Sequence, residues 1–371
     1  MPIPRPVRVL LLLIISLVIG GCWDAADVKD LYIPFTAGYD YIEKQGEGKL
    51  VASVNYPVFA RMAKEHSDIL VMEGDTVGET RIDKGNKLAR RLAIGDLNTL
   101  LIGRDLAVRG TREVFDYMFR NPQFSELMKL AVVDGLARDV LQIKPVHYQT
   151  VGQNIIELLK NADRSNFIPD MALHDFRICV ITPGFNPVLP VLRIHGQNKI
   201  EVAGAAIFKG YRMVAMVNKD EMRAVTWLRG EKSTGDITFE LVDQAGNQKK
   251  LTFEGTNSRS VKAKLVDGVP YFEIEVKLAG EIIESLVGFQ FAGKEENIKL
   301  AEAALARYIE GKCRSMLEDL QCKYRVDAIL LGKYARAKWP DLVRQDWDEH
   351  FCNSIIKVKV KVIIRGSGEV A

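Results

Sequence analysis

Apolar positions recur along this chain at two spacings, and each predicts a different element. Between 294 and 322, Ile298, Ala301, Leu305, Tyr308, Ile309, Cys313, Met316, Leu317 and Leu320 return at steps of three and four, with Lys, Glu and Arg opposite them. That is the stripe of an amphipathic helix, and it predicts one long helix here. Near the end, Ile356, Val358, Val360, Val362 and Ile364 alternate with Lys357, Lys359 and Lys361. Period two predicts a long strand with one wet face, and the helix is expected to pack across the sheet that contains it. Two hairpins are expected before them. Ile237 to Val242 and Lys250 to Phe253 flank Gln244-Ala245-Gly246-Asn247, while Val261 to Val266 and Tyr271 to Leu278 flank the turn dipeptide Asp267-Gly268.

The first half reads as strands alternating with helices. Leu31 to Tyr39 and Leu50 to Val58 are extended around a turn at 44–49, and Val77 to Ile94 has helical spacing. Thr99 to Ile102 and Leu130 to Val133 are short, wholly apolar runs of the kind found in buried strands. Thr111 to Phe119 and Gln149 to Asn161 read as helices. Pro183, Pro187 and Pro190 then mark irregular chain and a domain boundary. Beyond it come strands at Ile200 to Phe208 and Met213 to Val217 and a short helix at Glu221 to Leu228. The expected fold class is α+β: a multi-domain mixed α/β chain whose C-terminal domain is an antiparallel sheet packed against a long helix. The expected divisions are 1–21, 22–190 and 191–371, the last with subdomains near 198–290 and 291–371.

The opening segment follows different rules. Arg5 and Arg8 precede an apolar run from Val9 to Ile19, and Gly20, Gly21 and Cys22 close it. A basic start, a short apolar core and small residues at a cut form a secretory signal, too short to span a bilayer, which takes about 20 residues. Ile19-Gly20-Gly21-Cys22 resembles the bacterial lipobox, in which cleavage after the residue matching Gly21 leaves a diacylglycerol-bearing cysteine as residue one. The expectation is a lipoprotein held at the outer face of a bacterial cytoplasmic membrane through Cys22. At about 0.8 kcal/mol per buried methylene, two acyl chains suffice without a transmembrane helix.

Composition narrows the function. Of 371 residues, 47% are hydrophobic and 27% charged, as in a globular chain with a real core. The net charge of +3 falls to +1 without Arg5 and Arg8, which gives no field for nucleic acid. Besides Cys22 there are Cys179, Cys313, Cys322 and Cys352, with no CxxC and no histidine at zinc-ligand spacing, so no metal site is expected there. Cys313 and Cys322 on one helix would lie roughly 13 Å apart, beyond disulfide reach, which favours four free or buried thiols. No G-x-S-x-G, HExxH or phosphate loop occurs, and His66, His147, His174, His195 and His350 have no partner at a telling spacing. No catalytic residue and no cofactor is assigned. Asp346, Asp348, Glu349 and His350 admit a cation site, but a solvated helix face beside Trp347 is the favoured reading. Likewise Lys357, Lys359 and Lys361 are read first as a wet sheet face or edge protection and second as a contact for anionic lipid.

Four blocks carry a resemblance to the Ger(x)C spore-germination lipoproteins, the C-type subunits of nutrient germinant receptors. They are Gly21-Cys22-Trp23-Asp24 with Leu31, Gly38 and Asp40; Arg91 to Leu97 with Leu101-Ile102-Gly103 and Asn121-Pro122; Gly204 to Lys209 with Glu221, Trp227-Leu228 and Gly230; and Gln321, Tyr324, Asp327, Gly332, Trp347, Phe351 and the final strand. The chain departs from the family pattern at Asp96, where a histidine is frequent, and at Ala25-Ala26. The resemblance implies three mixed α/β domains, a place on the outer face of the spore inner membrane, and a non-enzymatic role beside two integral-membrane subunits, A-type and B-type. The alternative reading is a lipid-anchored solute-binding protein of a transporter, which needs a ligand cleft between two domains.

Overall fold

In the computed structural model the described residues are 31–44, 46–58, 67–165, 167–196, 198–242, 246–285 and 295–367, with the isolated positions 4 and 6. Cys22 and Gly21 lie outside them. Two sheets organise the chain. β2 (Thr36–Lys44), β3 (Glu47–Pro57) and β4 (Ser67–Gly74) form an antiparallel meander, and β6 (Thr99–Gly103) and β7 (Lys129–Val133) continue it in parallel. β8 (Val188–His195), β9 (Lys199–Lys209) and β10 (Arg212–Asn218) complete an eight-stranded sheet in the order β10-β9-β8-β7-β6-β2-β3-β4. The expected division after residue 190 falls inside β8, which pairs with β7 on one side and β9 on the other.

β6 and β7 are enclosed on both faces, which is why they read as unbroken apolar runs. Leu100, Ile102, Leu130 and Val132 pack with α3 (Arg112–Arg120) and α6 (Leu173–Ile181), against Phe115 and Phe176. Leu101, Ala131 and Val133 face the other way, toward α4 (Ala137–Leu141) and α5 (Val151–Ser165). α2 (Arg104–Arg109) follows β6 directly. The helix expected from Val77 to Ile94 is shorter. α1 (Val77–Lys87) starts at the cap Thr76, whose side chain accepts from Glu79 N, and ends where Leu88 turns extended. β1 (Leu31–Tyr32) and β5 (Arg91–Leu92) then form a parallel pair, so a tertiary partner overrides local helical spacing.

The second sheet has the order β11 (Thr234–Val242), β12 (Gln248–Val266), β13 (Val269–Ser285), β14 (Ile355–Ser367). The two expected hairpins share one long strand, because β12 runs unbroken through the polar stretch 254–260. Partners outside the sheet hold that stretch: Asn257 Oδ1 accepts from Ser233 N at 3.1 Å, and Arg259 donates to Ile329 O at 2.7 Å. Asp267 and Gly268 both take positive φ, 51° and 80°, as a two-residue hairpin turn of primed type requires. The antiparallel expectation holds for β11 to β13, whereas β14 is parallel to β13. The chain between them crosses over through α8 (Glu295–Glu318), α9 (Gly332–Lys338) and α10 (Pro340–Cys352) and re-enters at the same end.

α8 lays Ala301, Leu305, Ile309, Cys313, Met316 and Leu317 into the core beneath this sheet. Its last turns widen into a π segment, Asp319–Tyr324. One apolar core runs from Val133 and Ile155 under the first sheet, through Trp227 of α7 (Lys219–Arg229), to Phe253, Phe272 and Leu305 under the second.

Candidate functional site

Where the two sheets meet, the core gives way to a buried polar network. Its centre is Asp327, 0% exposed, in the turn between the π segment and α9. Oδ2 accepts from Gly332 N and from Trp347 Nε1, both at 2.7 Å, and Oδ1 accepts from Ile329 N at 3.1 Å. Burial pushes this carboxyl up, and the bond from Trp347 followed by backbone donors works against that. The turn reaches this geometry through positive φ at Arg325 and Leu330, 53° and 57°. Asp348 sits beside it: Oδ1 accepts from Asp327 N and Asn186 Nδ2, both at 3.0 Å, and Oδ2 pairs with Lys209 at 3.2 Å.

The N-terminal sheet contributes the other half. Asn186 lies in the proline-rich segment before β8, and its Oδ1 accepts from Gly210 N at 3.2 Å. Arg229, at the end of α7 and 4% exposed, donates to Asn186 O at 3.1 Å and Ala328 O at 2.7 Å and pairs with Glu231. Backbones also touch here. A Cβ added at Gly332 would stand 2.1 Å from Gly184 O, so only glycine fits. Gln321 closes the far side, its Nε2 donating to Phe351 O and Ser354 O, both at 2.9 Å. Every carboxylate oxygen of Asp327 and Asp348 has at least one partner within the fold, so the arrangement ties the two sheets together as a clamp.

Two family models match this architecture in order. The spore germination protein N-terminal domain covers residues 24–194, and the spore germination B3/GerAC-like C-terminal domain covers 203–368. The chain belongs to the Ger(x)C family of spore germination proteins. Putative spore germination protein YfkR of Bacillus subtilis (strain 168) is 23% identical, covering 96% of this chain and 95% of YfkR. Spore germination protein GerQC of Bacillus cereus is also 23% identical, over 97% of this chain and 99% of GerQC. The crystal structure of the GerBC protein shares the fold, with a TM-score of 0.55 at 16% identity over 90% of this chain and 98% of that one. Membership places the protein in spore germination.

The third and fourth Ger(x)C blocks converge on the clamp. Asp327, Gly332 and Trp347 form its centre, Gln321 and Phe351 its rim, and Trp227-Leu228 with Gly230 carry Arg229 into it. Glu221 starts α7 in a reciprocal cap, accepting from Asn218 N at 2.8 Å while Asn218 Oδ1 accepts from Glu221 N at 3.1 Å. The first block serves a second buried carboxylate. Asp40, 0% exposed, accepts from Ala137 N at 2.7 Å and Arg138 N at 2.9 Å at the start of α4. Gly103 and Gly38 clear room for it, since a Cβ at Gly103 would stand 2.0 Å from Asp40 Oδ1 and one at Gly38 2.8 Å from Ala137 Cβ.

One acidic residue lies elsewhere than its sequence context predicts. Asp348 was expected on a solvated helix face, and it is buried in the clamp because its neighbour Trp347 turns inward to Asp327; Asp346 and Glu349 are exposed as expected. Among the described residues no group of three or more metal-ligating side chains is present, and Cys179, Cys313, Cys322 and Cys352 are free thiols. Lys357, Lys359 and Lys361 stand on the exposed face of the edge strand β14. Arg229, Asn186 and Arg259 escaped notice. Their signals were a lone arginine ending the apolar Trp227-Leu228, an asparagine between prolines, and an arginine inside an otherwise small-residue stretch.

Proposed function

We propose that this Ger(x)C protein is a lipid-anchored, non-enzymatic subunit of a nutrient germinant receptor. Diacylglycerol on Cys22 holds it at the outer face of the cytoplasmic, spore inner, membrane beside two integral-membrane subunits of A and B type. The observation that carries the reading is the order of features: a lipobox-like cut at Gly21-Cys22, followed from residue 24 by both germination-domain matches. Among the described residues no helix is long and apolar enough to cross a membrane, which is compatible with an anchor made of lipid. The clamp suits a part that must pass contact on one sheet to the other without bending.

Replacement of Cys22 by Ala is expected to release the protein from spore membranes and to impair nutrient-triggered germination. Normal membrane retention of that variant, followed by immunoblotting of fractionated spores, counts against the reading. The transporter alternative calls for a cleft between two domains. The place where the two sheets meet is instead occupied by Asp327, Asp348, Asn186 and Arg229 and by the shared apolar core.

A further inference from the structure

The outer part of the eight-stranded sheet holds a cavity that the clamp does not use. It encloses about 50 Å³ between β2, β3, β4, α1, α3 and the chain at 92–97. Its floor is apolar, formed by Ala37, Ala52, Val54 and Met72 of the sheet under Leu97 and Phe124. Six polar side chains complete the lining: Ser53, whose buried hydroxyl has no partner among the described residues, Thr80, and the longer Tyr39, Tyr117, Arg81 and Lys84.

Thr80 donates to Val77 O and Tyr117 Oη accepts from Asn121, but among the described residues Arg81, Lys84 and Tyr39 lack such partners. Arg81 and Lys84 stand three residues apart on α1, which puts them side by side. Lys87 on the same helix pairs with Asp83 at 2.6 Å, but among the described residues no carboxylate pairs with Arg81 or Lys84. Burial and then the charge of Arg81 push the Lys84 ammonium down, the sign of a cation without a counter-ion. Arg81 lies 5.2 Å over the Tyr117 ring. The Tyr39 hydroxyl, on a side chain only 8% exposed, has no hydrogen-bond partner among the described residues. Two cations and a buried hydroxyl therefore line an apolar recess that holds no carboxylate.

We propose that this recess binds a short aliphatic carboxylate, and that it discriminates against the corresponding α-amino acid. The carboxylate accepts from Arg81, Lys84 and the Tyr39 hydroxyl, while the tail covers Ala52, Val54 and Met72. Charge-assisted bonds of this kind are stronger than neutral ones. Size limits the tail. A cavity of about 150 Å³ takes a six-carbon ring, so the enclosed part of the tail is about two carbons, and the rest of a short branch lies at the open mouth. An α-ammonium group would stand beside two like charges with no carboxylate to meet it. The inference is independent of the receptor reading and holds whether or not Cys22 carries lipid.

Calorimetric titration of the full-length protein tests it with three probes: 3-methylbutanoate, its α-amino counterpart valine, and the neutral 3-methylbutanamide. Saturable binding of the acid is expected, with valine and the amide weaker by about tenfold or more. The double variant Arg81→Gln, Lys84→Gln should weaken the acid by a similar factor while its thermal midpoint stays close to that of the parent, because neither side chain is in the core. The proposal is overturned if valine or the amide binds as tightly as the acid. It is equally overturned if the folded double variant keeps the parent affinity, or if the acid shows no saturable heat up to about 10 mM.

Discussion

The two sheets of this protein treat polar groups in opposite ways. In the four-stranded sheet, apart from Asn257 and Arg259 of β12, they are kept outside: β13 buries Phe272, Ile274, Val276 and Leu278 and exposes Glu273, Glu275 and Lys277. Register then matches charges across strands, with Glu273 beside both Lys262 and Lys357, and Glu275 beside Lys359. In the eight-stranded sheet the central strands have no wet face, and the buried charged groups of this half, Asp40 and Arg229, have bonded partners, although among the described residues the Thr36 and Thr99 hydroxyls have none. Asp40 caps α4 from inside, and Asn186 and Arg229 reach from this half into the clamp. The difference teaches where stability resides. A solvated ladder contributes tenths of a kcal/mol per pair, whereas breaking a buried network leaves desolvated partners without bonds.

The sharpest way to break that comparison is Asp327→Ala. It orphans the donors on Gly332, Ile329 and Trp347, and a loss of about 3–5 kcal/mol is expected in urea unfolding of the purified protein. A loss below about 1 kcal/mol would show the clamp to be incidental.

Asp40 gives the next effect, read against pH. Burial, first among the causes, raises its carboxyl from 3.8 to about 6, with the bonds from Arg138 and Ala137 opposing. Between those values the folded chain holds more protons than the unfolded one. Stability from this residue is therefore present below about 4, falls as pH rises and is fully lost above about 6, a change of about 3 kcal/mol. Asp40→Asn should flatten that slope in thermal unfolding measured between pH 4 and 7. An unchanged slope would place the titration elsewhere.

Gly332→Ala forces apart two backbones that meet at Gly184, and a cost of about 1–3 kcal/mol is expected, seen as a lower urea midpoint. The smallest effect belongs to the wet face. Lys359→Ala should change stability by no more than about 0.5 kcal/mol, and a larger loss would mean that the ladder holds the sheet after all.

Periodicity carried much of the architecture. β13, β14 and α8 were legible because each keeps one face wet, so side-chain order reports backbone geometry directly. The same logic made Lys357, Lys359 and Lys361 readable as surface. It failed for Asp348 and, in the run 254–260, for Asn257 and Arg259, which bond to partners far along the chain. Short helices such as α2, α4 and α9 have too few turns for a period to emerge.

The family blocks, the lipobox-like cut and the alternation of the last strand are properties of residue order, since each rests on neighbours within a few positions. Sheet order, the parallel return of β14, the meeting of Asn186 with Asp348 and the gathering of Arg81, Lys84 and Tyr39 around one recess were decided by folding. Burial and hydrogen bonding act between residues brought together from distant parts of the chain, and spacing along a strand or helix holds no record of that encounter.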